Sequence, residues 1–254
     1  MNDPFVHKDS IVKTIWGKGD TILFIFAGAS AEFALNKAVD WLYFTGKLPA
    51  DPIGRLFSTV QYARMIVFSE KESAYAAIDK ITSIHRVVEA NRGSRIPDWA
   101  YRDVLFMLIH YSISAYELLE QPLTHEQKED LYETFYQIGS RMEIGGLPAS
   151  FDQWLLMRED HLNTNLSNSK FTKDLFLQYR KHLGKFRYLL LTESQKTVVP
   201  TQVKEHLGFG KFSIIWLILP FYKLARMLKF DWVLKSMILP ANYKAQIRDL
   251  DVQP

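Results

Sequence analysis

The 254-residue sequence predicts an all-α fold, on three observations. Apolar residues recur at steps of three and four along successive segments, the spacing that gathers side chains on one face of an α-helix. The segments open on Ser, Thr, Asp or Pro and close on Gly or Pro, the residues that start and stop helices. No run alternates apolar and polar residues between hairpin turns, and no internal repeat is present. The expected architecture is a single multi-helix domain over 1–254.

Taken in order, Asp20 is placed to cap a long helix running to Phe44, and Gly28, Ala29 and Ser30 leave room for another backbone or a flat ligand. Tight helix packing is the plainer account of those three. Asp51 and Pro52 suit the N-cap and first position of the next helix. In it Arg55 and Thr59 stand four residues apart and stack on one side, with Ala63 a turn further on. They are either a surface pair or two donors aimed into a pocket. Ser69 is placed to cap the following helix, where Ala74, Ile78, Ile81, His85 and Val88 form a stripe. Lys71, Glu72, Asp79, Lys80, Arg86 and Glu89 occupy the other faces, so His85 is expected to point inward. An inward imidazole is either a core histidine satisfied by a carbonyl or hydroxyl, or a metal ligand.

Pro97 opens an apolar helix in which Asp103, Met107, His110 and Ser114 share a face. His110 is thus the second inward histidine, with packing its plainer role. Thr124 with Gln127 forms a capping-box pattern for a helix ended by Gly145 and Gly146, and Ser150 with Gln153 starts another. Glu159, Asp160 and His161 adjoin in sequence, but consecutive helical residues point about 100° apart and make no shared site. Thr172 begins a further helix, and Pro200 leads into a short one closed by Gly208 and Gly210. The segment 211–240 sets Trp216, Phe221, Tyr222, Phe230 and Trp232 among Lys211, Lys223, Arg226, Lys229 and Lys235. This basic amphipathic stretch either lies in a membrane interface or closes the core as a pair of helices.

Composition narrows the function. Hydrophobic residues make up 48% and charged ones 23%, as in an ordinary globular protein. A net charge of +3 and the lack of any nucleic-acid-binding signature argue against nucleic acid as a partner. With no cysteine there are no disulfides, thiolate metal sites, cysteine nucleophiles or iron–sulfur clusters. Histidine and carboxylates remain as metal ligands. The start MNDPFVHKDS lacks the basic region and apolar run of a signal peptide, so a cytoplasmic location is expected. The best apolar run, IIWLILPFY at 214–222, falls short of the roughly 20 residues of a bilayer span. GxSxG, HExxH, Walker A and GxGxxG motifs are all absent, which removes the usual hydrolase, zincin and nucleotide-binding chemistries. Two inward histidines, the Arg55 and Thr59 pair and an apolar helical shell suit a bound haem, which needs one axial ligand and a dry pocket.

Several stretches occur together in a telling order: an Arg-x-x-x-Thr pair in DPIGRLFSTVQYARMIVF, the histidine of SIHRVV, WAYRD, LIHYSIS, PLTHEQKEDLYETF and GGLPASFDQW. In that order the sequence resembles the MpaB oxygenase family, which includes the latex clearing proteins that cleave polyisoprene. The likeness covers about residues 20–207. It implies a globin-related helical core with additional helices, holding a b-type haem. It implies that His85 binds the iron and that Arg55 and Thr59 sit in the haem pocket as the catalytic pair. It places His110 near the cofactor or in packing. The implied reaction uses dioxygen on a hydrophobic, isoprenoid-like or alkene-like substrate. Two departures stand out: Ser58 occupies the place where rubber-cleaving members carry lysine, and neither Glu32 nor Asp40 matches a motif for a catalytic carboxylate. The competing account is a non-catalytic helical protein that binds an apolar ligand or a membrane surface, with His85 structural.

Overall fold

The computed structural model describes residues 3–46 and 50–227, and among them eleven helices and two isolated bridges carry the fold. The all-α class is as the sequence predicts. Helix α1 (Ile11–Trp16) starts on Ser10, whose hydroxyl accepts from the Val12 amide at 3.1 Å and donates to Asp130 at 2.6 Å. That second bond ties the start of the chain to a helix more than a hundred residues away.

Helix α2 (Gly19–Leu35) is the axis of the molecule. Its sequence carries two charges, Asp20 and Glu32, and is otherwise apolar or small, so it is buried nearly all round. It packs chiefly on α6 (Asp98–Leu119) and α9 (Lys170–Val198). At Gly28 the two helices leave no room for a side chain, since a Cβ there would lie 2.2 Å from Cδ1 of Tyr111 on α6. The flat group for which the small residues leave room is therefore the ring of Tyr111, in tight helix packing.

The expected helix from Asp20 to Phe44 is two helices. It breaks at Asn36, whose backbone is extended and whose side-chain oxygen accepts from the Ala38 amide at 2.8 Å, a local bond that competes with the helical one. The break is then held from outside, since Ser167 donates to the Leu35 carbonyl at 2.7 Å and Lys37 donates to the Asn165 carbonyl at 2.9 Å. Helix α3 (Asp40–Phe44) follows. Asp20 is not the cap of α2 either; Lys18 holds that position, and Asp20 accepts instead from the Tyr222 hydroxyl at 2.9 Å and Arg226 at 3.0 Å.

Helices α4 (Pro52–Phe68) and α5 (Lys71–Arg92) pack on each other. Asp51 caps α4 as expected, accepting from the Gly54 amide at 2.9 Å. The cap of α5 is Glu70 and not Ser69, because the Ser69 carbonyl accepts from Phe5 at 3.1 Å and Glu70 bridges to Pro4. Helix α5 ends at Gly93, whose left-handed φ of 70° favours glycine. Helix α7 (His125–Arg141) has the full capping box of Thr124 and Gln127, and α8 (Phe151–Thr164) starts on Ser150. Helix α9 begins three residues before the expected start, on Ser169, with Thr172 as its reciprocal partner. It is broken at Gly184, where φ is 72°. Helix α10 (Thr201–Leu207) and α11 (Ile215–Met227) complete the chain as described. One contiguous apolar core runs from Val6 to Val203, with Trp16, Phe106, Tyr111, Phe135 and Trp154 its largest fully buried side chains.

Helix α11 resolves part of the choice left open for segment 211–240. Ile215 and Leu219 are buried and Arg226 is anchored to Asp20 and to Glu120 at 2.8 Å, so this part packs on the body. Its other side exposes Trp216, Leu217, Ile218, Phe221 and Leu224, with Phe221 74% exposed. Lys229, Phe230, Trp232 and Lys235 lie outside the described residues. Among the described residues no helix is long and apolar enough to cross a membrane.

Candidate functional site

The stripe on α5 is buried at Ala74 and Ile78 and half-buried from Ile81 onward, which carries His85 to the edge of the core. The His85 ring meets Tyr101 of α6 edge to face, with centroids 5.2 Å apart. Its Nδ1 is buried and has no hydrogen-bond partner. Among the described residues no carbonyl or hydroxyl satisfies Nδ1, so the ordinary arrangement of a core histidine is not met there. Burial first, and the Arg55 cation second, push the imidazole below its ordinary pKa of 6.5, against a smaller opposing pull from Glu89. His85 is accordingly neutral at physiological pH, the form in which imidazole binds a metal.

Glu89, one turn beyond His85, does not bond to it. Its Oε1 accepts from the Tyr101 hydroxyl at 3.2 Å and from the Ile96 amide at 2.8 Å. These bonds fix the ring that packs against the imidazole, and burial together with Glu89 raises the Tyr101 hydroxyl well above its usual range, keeping it protonated. Sequence reasoning assigned Glu89 to the solvent faces. Its position at i+4 from His85 was the available signal.

Arg55 of α4 is half-buried and close enough to depress His85, yet it forms no ion pair or side-chain hydrogen bond among the described residues. Thr59 donates to the Arg55 carbonyl at 3.3 Å, and Ser58 donates to the same carbonyl at 2.7 Å. The hydroxyls are thus turned back on their own helix, while the guanidinium is left to act on its surroundings.

His110 keeps different company. It abuts Tyr111 edge to face at 5.0 Å, and with Arg158 it borders a cleft of about 470 Å³ between α6, α8 and the start of α10. Burial first, then Arg158, push its pKa well below 6.5. His85, Arg55 and Thr59 do not line this cleft. The two carboxylates considered from sequence are both engaged. Glu32 accepts from Arg158 at 2.6 and 2.5 Å and from the Tyr111 hydroxyl at 2.7 Å, wholly inside the core. Asp40 accepts from Arg92 at 2.6 Å, and that guanidinium lies 3.9 Å over the Trp41 ring. His161 does join a buried cluster, but with Asp103 and not with its neighbours in sequence: Asp103 also accepts from Asn36 at 2.7 Å and Asn165 at 3.0 Å.

A profile of the ER-bound oxygenase mpaB/B'/rubber oxygenase catalytic domain matches residues 17–228. The chain belongs to the mpaB/rubber oxygenase family. A search of curated proteins finds no match. The family match takes in Arg55, Thr59, His85 and His110, and it continues through α11, beyond residue 207 where the motif likeness ends. For a member of an oxygenase family, the site of interest is the one that presents a reactive, uncommitted group. Among the described residues no three His, Asp or Glu side chains converge on a metal position. A metal carried within a macrocycle escapes that requirement, because the protein need supply only one axial ligand. His85, with its unsatisfied buried nitrogen, fits that single-ligand role.

Proposed function

We propose that this member of the mpaB/rubber oxygenase family is a haem b-dependent oxygenase acting on a hydrophobic, alkene-like or isoprenoid-like substrate, in which His85 would hold the haem iron. The observation that carries the proposal is the buried Nδ1 of His85, which nothing among the described residues satisfies. A bound haem would supply the redox chemistry with dioxygen. The chain's own residues do the rest. His85 offers a neutral imidazole, and the Tyr101 ring, held by Glu89, limits its rotation. Arg55 provides a cation beside it that is unpaired among the described residues, suited to a carboxylate of the cofactor or to negative charge that develops in the pocket. Thr59 offers a second donor if its hydroxyl leaves the Arg55 carbonyl. Ser58 stands in the place of the lysine of rubber-cleaving relatives and brings no nitrogen ligand.

The test is the visible spectrum of protein produced with haem precursor, before and after reduction. A Soret band that shifts on reduction and is lost in His85→Ala is expected, with weakened haem retention in Arg55→Gln. Full haem occupancy in His85→Ala would overturn the assignment.

The exposed apolar side of α11 favours an additional membrane contact. Leu217, Phe221 and Leu224 share one face of the helix, Trp216 and Ile218 are exposed to either side of it, and Lys211 and Lys223 adjoin in sequence, as in helices that lie in a lipid interface. Such a contact would bring an apolar substrate to the protein without a bilayer span. Flotation with anionic vesicles, lost in Trp216→Ser/Phe221→Ser, is the expected result; unchanged flotation of the variant would refute the contact.

A further inference from the structure

We propose that the bend in α9 is an anchoring point for an anionic lipid surface, distinct in the fold from His85 and from α11. A straight helix cannot make the contacts that α9 makes. Tyr179 donates to the Ser30 carbonyl at 3.4 Å, and Gln195 donates to the Ser30 hydroxyl at 3.0 Å. Along an unbroken helix those two residues would stand about 24 Å apart, too far for both to reach one serine. The two arms therefore converge on α2, and the break at Gly184 is the apex between them. Nothing lies within 4 Å of where a Cβ would be at Gly184, and Arg180, Lys181, His182, Lys185 and Phe186 around it are exposed.

The charge of this apex is one-sided. From residue 180 to 187 the chain carries Arg180, Lys181, Lys185 and Arg187 and no acid. None of the four forms an ion pair or a side-chain hydrogen bond among the described residues, and the flanking acids of α9 are engaged, Asp174 by Tyr43 and Glu193 by Lys196. Like charges gathered in this way repel one another, and an anionic partner relieves that repulsion. Charge alone would suit any polyanion. Apolar groups, however, stand beside the lysines: Leu177 is one turn before Lys181, and Leu189 is one turn after Lys185 and three residues after Phe186. Leu177, Phe186 and Leu189 are 62%, 58% and 53% exposed. A lipid surface takes both kinds of group, cations at its headgroups and apolar tips just beneath them.

The experiment uses the full chain, which has no cysteine, so that Phe186→Cys carries a single polarity-sensitive dye. Vesicles of phosphatidylcholine with about one-third phosphatidylserine are expected to shift its emission to the blue, and vesicles of phosphatidylcholine alone are not. Adding Lys181→Gln/Lys185→Gln is expected to raise the lipid concentration at half-effect about thirtyfold, the loss of two surface cations, while Lys181→Arg/Lys185→Arg leaves it in place. The same dye at Leu156→Cys, a position 77% exposed on α8, is expected to stay in water. A dye at Phe221→Cys reports α11 separately: a shift there with none at residue 186 would refute the apex and spare α11. An equal shift with phosphatidylcholine alone, an equal shift at residue 156, or a midpoint unmoved by loss of both lysines would each overturn the proposal. So would a shift as large with soluble polyglutamate, which would make the partner an acidic protein.

Discussion

Replacing Glu32 by glutamine tests the most heavily buried ion pair among the described residues. The Glu32 and Arg158 side chains are 1% and 4% exposed, and their two bonds of 2.6 and 2.5 Å are joined by the Tyr111 hydroxyl at 2.7 Å. Burial opposes the charge on Arg158, and the Glu32 carboxylate more than offsets it, raising the arginine pKa above its ordinary value. The Glu32→Gln change keeps the shape of the side chain and removes its charge. Arg158 would then be a buried cation with no counter-ion, which costs about 3–5 kcal/mol. Against a total stability on the order of 5–15 kcal/mol, that is a large fraction. For a chain of this size it corresponds to a fall in Tm of about 6–20 °C. Urea denaturation followed by circular dichroism, with an unchanged m-value, measures it. The double variant Glu32→Leu/Arg158→Leu is expected to be more stable than Glu32→Gln, because it removes both charges together. A loss below about 1 kcal/mol in Glu32→Gln, or a double variant worse than the single one, would refute the reasoning.

The titration of the two inward histidines gives a pH prediction. Both are held below 6.5 in the folded chain, chiefly by burial, so the unfolded chain takes up protons first as pH falls. Stability is therefore full above about pH 6.5 and declines below it, by at most about 1.4 kcal/mol per pH unit for each histidine. A urea midpoint higher at pH 5.5 than at pH 7.5 would contradict this. Gly28→Ala is expected to cost about 1–3 kcal/mol, since its new methyl meets the Tyr111 ring at 2.2 Å and neither helix can withdraw cheaply. The same denaturation assay checks it, and a neutral result would mean that α2 and α6 are less closely packed than described.

How much of this was legible in the sequence follows from the range of the forces involved. The caps at Asp51, Thr124 and Ser150 depend on residues three apart, and all three form as read. The break at Asn36 was missed because it is held by Asn165 and Ser167, which periodicity around residue 36 cannot reveal. The inward stripe of α5 was visible, and with it His85. The absence of a hydrogen bond at Nδ1, which separates a candidate ligand from a packed histidine, depends on what α4 and α6 bring opposite it. Likewise the apolar sequence of α2 marks Glu32 as buried, but its partner is 126 residues away and no motif reveals it.

The anchoring of α11 shows what holds the last described helix to the body. Arg226 reaches Asp20 and Glu120, and Glu193 receives the Ile214 amide at 3.0 Å while its carbonyl receives Ser213 at 2.8 Å. The last described helix is therefore fastened at both ends to carboxylates that belong to the body. A chain cut after Gly210 would be shorter by one apolar helix, and would also leave these acids without bonds that α11 and its approach provide. Among the described residues, charge fastens this last helix to the body as much as the apolar core does.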